Sequence, residues 1–297
     1  MEGQVAHSDI GQRVDVALSR LFPEFSRSKL AELLKSGDLT VDGASPRPSS
    51  KVRGGEHVVF ALPECDGEGA YVAENIPLDI VFEDDEMLVL NKPAGLVVHP
   101  GAGNWRGTLL NGLLHYFPKS VDLPRAGIVH RLDKDTTGLM VVAKSMTAQT
   151  DLVRQLQART VHREYLAVVF GHPIDQRIAV DIGRDSVHRT KMAVRTSGGK
   201  PAATQVTVVQ KFASASLLRC VLETGRTHQI RVHLSHIGHP LLGDATYCPP
   251  RLLERLPFTR QALHACALFL QHPRTREDLQ FACEVPLDMQ QLLERLP

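Results

Sequence analysis

His130-Arg131-Leu132-Asp133-Lys134-Asp135-Thr136-Thr137-Gly138-Leu139-Met140-Val141-Val142-Ala143-Lys144 joins two unlike halves. The first is dense in ionisable side chains, and the second, Leu139 to Ala143, is an unbroken apolar run. A short run rich in Val predicts a buried strand. Gly138 lets the backbone turn tightly or approach a neighbour where that strand begins. A carboxylate a few residues before a buried strand sits at the rim of a sheet, held rigidly yet able to meet a ligand. Arg131 and Asp133 share a side in extended chain, His130 and Lys134 add positive charge, and nearby cations favour ionised Asp133. An ionised, positioned carboxylate is a nucleophile or a base. The plainer reading of the same residues is a surface turn with an Arg–Asp pair.

His-Arg-Leu-Asp followed by Thr-Thr-Gly closely resembles the catalytic motif of the RluA-type family of RNA pseudouridine synthases. The resemblance implies an α+β enzyme, with a mostly antiparallel mixed sheet flanked by helices and the site in a cleft across it. It makes Asp133 the catalytic carboxylate ahead of its rival Asp135. Within the family, residues 126–144 and the Arg-Thr-x-Met-Ala-Val around 189–194 are most similar to the D-type branch. That similarity implies clustered uridines in a stem-loop of large-subunit rRNA as substrate. The D-type branch also carries an acidic C-terminal tail, whereas this sequence stops at Pro297, just past its last expected helix.

Length and composition agree. The 297 residues suffice for one large domain and a small one, and 43% hydrophobic residues can bury a substantial core. No window approaches the roughly 20 apolar residues of a membrane span. The N-terminus lacks a basic-then-apolar leader, and five scattered cysteines show no C-x-x-C spacing, so a cytoplasmic protein without disulfide framework or zinc ribbon is expected. A net charge of +1 does not advertise a nucleic-acid binder, but the charge is uneven. Residues 63–89 hold nine acidic side chains and no Lys or Arg, whereas residues 184–200 hold five basic ones against Asp185 alone. Such a basic patch can bind phosphates on a nearly neutral molecule.

Residues 1–62 read as a small domain. Val14, Leu18 and Leu21 fall at helical spacing up to Pro23. Ser26 or Ser28 can cap a second helix, bearing Leu30, Leu33 and Leu34 and stopped by Gly37. Strands at 39–41 and 57–62 follow, the first ending in a Val-Asp-Gly turn. This order resembles the S4 RNA-binding domain, which puts Arg27, Lys29 and Lys35 on an RNA-facing side. Residues 63–75, acidic and without apolar periodicity, read as a flexible linker, leaving 76–297 as the catalytic domain.

In that domain, residues 80–82 and 87–90 predict paired strands, and 108–116 a short helix. Asn91-Lys92-Pro93-Ala94-Gly95-Leu96 matches a family motif that is chiefly structural. A helix capped by Ser145 or Thr147 leads to a strand at 164–170, whose start, Arg163-Glu164-Tyr165, matches the family's tyrosine motif. The resemblance implies that the Tyr165 ring packs on the target base and helps move a proton. The basic segment 184–202 resembles an RNA-contacting hairpin, with Arg184, Arg189, Lys191 and Lys200 as contacts. Strands follow at 203–212 and 217–222, then a helix capped by Thr227 and ended by Gly238. Further elements are expected at 252–256 (helix), 264–270 and 279–285 (strands) and 287–296 (helix). By resemblance, Arg226 pairs with Asp133, Arg131 fills the gap left by an extruded nucleotide, and Leu132 and Ile230 form apolar walls.

Isomerising uridine to pseudouridine breaks the bond from C1′ to N1, turns the base and joins C1′ to C5, with no redox change. The resemblance therefore implies no cofactor and no metal, an RNA partner, no membrane, and a monomer. Asp133 can add to C6, capture C1′, or assist elimination at C2′, and the residues do not choose. Histidines 228, 233, 236 and 239 invite a zinc reading, but none are paired at i, i+4 and no Cys or carboxylate lies among them. Asp133-Lys134-Asp135-Thr136 superficially resembles a D-x-D-x-T phosphotransfer motif, except that the apolar strand follows it instead of preceding it. A non-catalytic RNA-binding or assembly factor is the other alternative.

Overall fold

In the computed structural model the described residues are 2–22, 27–60, 71–101, 104–188, 191–256 and 258–297, with only the backbone described at Ser28, Lys29, Glu32 and Phe60. The chain divides into two compact units, residues 1–70 and 71–297.

The first unit runs β1 (Glu2–Gln4), α1 (Val14–Leu21), α2 (Arg27–Ser36), β2 (Leu39–Val41) and β3 (His57–Phe60). Its antiparallel sheet has the order β1-β3-β2. Leu18, Leu30, Leu34, Leu39 and Val58 are its fully buried centre, so the apolar spacing read along both helices is the packed face. Asp42 and Gly43 both have positive φ, turning the chain where Val-Asp-Gly predicts it.

The second unit begins with an extended segment and continues β4 (Ile80–Glu83), β5 (Met87–Lys92), α3 (Leu109–Tyr116), β6 (Thr137–Ala143), α4 (Met146–Ala158), β7 (His162–Phe170) and β8 (Gln176–Ala179). Then come β9 (Ile182–Arg184), β10 (Met192–Val194), β11 (Ala203–Lys211), β12 (Ala215–Leu222), α5 (Gln229–His236), α6 (Pro250–Leu253), β13 (Leu263–Gln271), β14 (Asp278–Ala282) and α7 (Leu287–Arg295). The main sheet has the order β4-β5-β6-β13-β7-β12-β11-β8, with β14 also on β13. Every pairing is antiparallel except the short parallel one of β6 with β13. This is the expected mixed, sheet-rich α+β fold. No described helix is long and apolar enough to cross a membrane.

β6 explains why its sequence does not alternate. Met140 and Val142 join one core with α3, while Leu139, Val141 and Ala143 join another with α4. A strand covered on both faces reads as continuous hydrophobicity. Gly138 sits at φ +115°, where a Cβ would lie 2.2 Å from the Ala265 carbonyl oxygen. Only glycine allows β6 to start that close to β13.

Several expectations shift. Residues 61–70 of the expected linker lie outside the described residues, as does Ser26. Residues 71–75 are tied down: the Asn111 amide donates to the Val72 carbonyl at 2.8 Å, and Glu74 accepts from the Gly107 N–H. Low hydrophobicity mimicked a tether, although these residues are held through polar groups. The helix expected at 252–256 forms earlier, on Pro250, because proline favours a first helical turn. The strand expected at 279–285 is β14, ending at Ala282.

Candidate active site

The turn between His130 and β6 is held from several directions. The Lys92 side chain is fully buried, and its Nζ donates to the carbonyls of Pro93, Leu96 and Lys134 at 2.7, 2.9 and 2.8 Å. Burial pulls its pKa down to about 8, against the raising effect of Asp135 and Asp133. Arg260 donates to the Asp135 carbonyl at 3.1 Å and is itself fixed by two bonds to Asp288. The Gln261 amide reaches the Thr136 hydroxyl at 3.2 Å, and His264 Nδ1 lies 2.9 Å from the Thr137 hydroxyl. The backbone from Lys134 to Thr137 is thereby fastened by β5 and by the segment entering β13.

Asp133 opens this turn and lines a cleft of about 840 Å³ in the second unit. Its side chain is 14% exposed, and its Oδ2 accepts from Arg231 Nη1 at 3.0 Å. Arg231 in turn donates to both oxygens of buried Asp244, at 2.7 and 2.9 Å, and lies over the Tyr247 ring. Burial acts to lower the Arg231 pKa, but the carboxylates of Asp244 and Asp133 outweigh it and hold the guanidinium above its ordinary value. The result is a permanent cation presenting one N–H to Asp133. His228 Nε2 stands 3.8 Å from the other Asp133 oxygen, and its Nδ1 lies 2.8 Å from the Tyr247 hydroxyl. Burial, the largest influence on His228, keeps its pKa below the ordinary value.

This geometry corrects two expectations. Arg226 is not the partner of Asp133: its Nε donates to the Pro201 carbonyl at 3.1 Å, at the cleft wall. The helix starts at Gln229, after His228 in a left-handed conformation, so Arg231 and not Arg226 is directed at Asp133; Thr227 is not its cap. The sequence pattern does not single out Arg231, because it lies between the apolar Ile230 and Val232. That setting is itself the missed signal: an arginine in a buried turn needs a carboxylate, and Asp244 follows in sequence.

Other predicted residues do meet at the cleft. Leu132, Tyr165 and Ile230, each buried, line it with Arg131, which is exposed at the rim. Burial raises the Tyr165 phenol pKa to about 12, so the free site holds it protonated at neutral pH. Asp135 does not line the cleft, whereas Glu223 does but is bound by Arg177 at 2.6 and 2.7 Å. Asp133 is therefore the cleft carboxylate not committed to a surface pair. The basic hairpin of β9 and β10 is separate from this wall. Arg184 and Lys200 are exposed, Lys191 is turned inward onto the Thr246 carbonyl at 2.8 Å, and Arg189 lies outside the described residues. In the first unit Arg27 is bound to Asp15 at 2.8 Å, Lys35 is exposed, and the Lys29 side chain is not described.

Six arginines (Arg125, Arg131, Arg159, Arg163, Arg226 and Arg231) line the cleft against the two carboxylates of Asp133 and Glu223. A cationic, partly apolar cleft around one carboxylate free of a surface pair suits a polyanion whose base enters the floor.

Comparison with known proteins gives the same picture. The family model described as RNA pseudouridylate synthase matches residues 86–236. A protein of Nitrosomonas europaea named ribosomal large subunit pseudouridine synthase D is 50% identical over 294 residues, covering 96% of this chain and 85% of its own. Proteins of the same name from Vibrio vulnificus and Yersinia pestis are 51% and 49% identical, over 98% and 100% of this chain and 93% and 94% of theirs. Among solved structures, human RNA pseudouridylate synthase domain containing 1 is 31% identical with a TM-score of 0.57, over 70% of this chain and 83% of its own. Human domain containing 4 is 27% identical with a TM-score of 0.59, over 73% and 92%. By fold, by motif and by identity over nearly its whole length, the chain belongs to the RluA-type family of RNA pseudouridine synthases.

Proposed function

We propose that this enzyme isomerises uridines of large-subunit rRNA to pseudouridine, with Asp133 as the catalytic carboxylate. The observation that carries the reading is the Asp133–Arg231 contact at 3.0 Å in an arginine-lined cleft. A fixed cation donating to one carboxylate oxygen orients the other towards an incoming base. The substrate class follows the names of relatives about half identical over nearly the full chain.

The target nucleotide is swung out of its stack, which costs a few kcal/mol and least in loops, so clustered loop uridines are favoured. Arg131 fills the vacated space, Tyr165 packs against the uracil, and Leu132 and Ile230 exclude water. Arg226 guards the mouth, in place of the pairing expected for it. The hairpin bearing Arg184, Arg189, Lys191 and Lys200 meets the RNA outside the cleft. The first unit acts as an S4-like RNA-binding module, with Lys29 and Lys35 towards the RNA and Arg27 reaching it from its pair with Asp15. The helix–helix–strand–turn order of that unit supports this assignment. The enzyme works in the cytoplasm as a monomer without a cofactor, since the reaction exchanges no electrons and transfers no group away.

The test is tritium release from large-subunit rRNA carrying label at uracil C5. Wild-type protein releases it, and Asp133→Asn abolishes release while still binding RNA. Turnover by Asp133→Asn near the wild-type rate refutes the assignment of Asp133, and magnesium-dependent phosphatase activity without release would instead favour the D-x-D-x-T alternative.

A further inference from the structure

Among the cleft arginines, Arg163 stands apart. Arg125, Arg131 and Arg159 are exposed, Arg226 is bonded to the Pro201 carbonyl, and Arg231 is neutralised by two carboxylates. Arg163 is only 8% exposed, yet among the described residues its guanidinium has neither a hydrogen-bond acceptor nor an acidic partner, and its Nε is buried unpaired. A buried, uncompensated charge is costly. It persists in a cleft when a ligand supplies the missing partner.

The strand positions that charge. In β7, Arg163 and Tyr165 are both buried at alternate positions, so they point to the same side of the sheet, while the intervening Glu164 pairs with Arg219 on the other. The guanidinium lies against Gly225, where a Cβ would come 2.8 Å from Nη1. A side chain at 225 would displace it, so this glycine makes room for the arginine in the cleft wall. The charge is felt at both Tyr165 and His130.

We propose that Arg163 is a further catalytic residue, whose guanidinium donates to a carbonyl oxygen of the extruded uracil and stabilises the negative charge that the base acquires during the reaction. This rests on the reading of the protein as a uridine isomerase. It holds for each route open to Asp133. Capture of C1′ by the carboxylate breaks the C1′–N1 bond and leaves its electron pair on the base, as a uracil anion shared with the ring oxygens. Elimination takes a proton from C2′ and releases the same anion. Addition to C6 pushes the C5–C6 electron pair towards O4 as an enolate. On every route, addition to C6 included, the C1′–N1 bond breaks before C5 bonds to C1′. After capture of C1′ the ester bond then breaks and frees the carboxylate, after elimination the carboxylic acid returns its proton to C2′, and after addition to C6 the carboxylate leaves C6; the C5 proton is lost and N1 gains one. The rim arginines are placed for phosphates, whereas an interior arginine beside the tyrosine expected to pack on the base is placed for the base itself. Donors fixed in a dry site act most strongly on charge that appears only during reaction.

The experiment compares full-length wild type, Arg163→Met and Arg163→Lys by single-turnover tritium release, RNA affinity and thermal melting. The expected result for Arg163→Met is a fall of about 10²- to 10³-fold in the chemical rate, the loss seen when one such donor is removed. RNA affinity stays near wild type, the melting temperature does not fall, and Arg163→Lys recovers part of the rate. RNA bearing 2-thiouridine or 4-thiouridine gives a second reading, because sulfur is a poor acceptor. Wild type is slowed by one of the two, and Arg163→Met is not slowed further. An unchanged rate with weakened RNA binding would make Arg163 a phosphate contact and overturn the proposal. So would a lowered melting temperature that accounts for the lost activity. If wild type itself releases no tritium, the isomerase reading falls and this inference with it.

Discussion

Asp244→Asn tests whether the second carboxylate on Arg231 is what fixes the first. Asp244 is 1% exposed, accepts from Arg231 at 2.7 and 2.9 Å, and also accepts the main-chain N–H groups of Thr246 and Tyr247 at 2.9 and 3.2 Å through Oδ1. An amide whose oxygen takes the Oδ1 position keeps the two backbone bonds and one bond to Arg231. Its NH₂ then faces Arg231 Nε, donor against donor, and the charge is lost. Breaking one partner of a buried ion pair costs about 3–5 kcal/mol. Asp133 still balances Arg231, so the lower end, about 3 kcal/mol, is expected. The second unit spans residues 71–297. For a domain of that size each kcal/mol lowers Tm by about 2–4 °C, giving a drop of about 6–12 °C. Arg231, no longer braced, follows Asp133 instead of presenting one N–H to it, and turnover falls at least about tenfold, equal to about 1.4 kcal/mol in the barrier. Scanning calorimetry and tritium release on the same preparation check both. A variant melting within about a degree of wild type, with wild-type turnover, would show that Arg231 needs no brace.

Gly138→Ala places a methyl 2.2 Å from the Ala265 carbonyl oxygen at a φ of +115°. A loss above about 4 kcal/mol is expected, read as little soluble protein or a collapsed urea midpoint. Lys92→Met strands three carbonyls, one of them Lys134 beside Asp133. At about 1–3 kcal/mol for each unmet group, both urea midpoint and turnover should fall, and an unchanged rate would detach Lys92 from the site. His264 is 1% exposed, and burial brings its pKa down from 6.5 to about 4. Between those values the unfolded chain binds the proton and the folded one does not, so stability is lost as pH falls from about 6.5 towards 4. The full effect is about 3 kcal/mol. Urea titrations at pH 7 and 4.5 should show a shallower acid loss in His264→Gln, and parallel losses would refute the assignment.

What could be read from sequence depended on how each residue meets its neighbours. β6 was legible because burial on both faces leaves an unbroken apolar run, and α1 and α2 because one buried stripe repeats every three or four residues. The strands β8, β9 and β10, three or four residues each, carry too little pattern to mark individually. Asp133 was legible because its motif is contiguous. Its partner was not, because two arginines lie five apart and the choice depends on where α5 begins. A left-handed His228 sets that start, and although histidine is enriched at positive φ, it adopts that conformation too rarely to mark the turn from sequence alone. Lys92 gave no hint of its reach either, since its third carbonyl lies 42 residues away.

The parallel seam between β6 and β13 joins only Thr137 to His264 and Gly138 to Ala265. The side chains that fasten the turn after Asp133 from that side, Arg260, Gln261 and His264, all come from more than 120 residues later. During translation, a nascent chain that has emerged as far as α6 already displays its aspartate but has none of these three clamps. The turn after Asp133 therefore gains these three clamps only once residues 260–264 have emerged, and a product truncated before them would bear the motif without them.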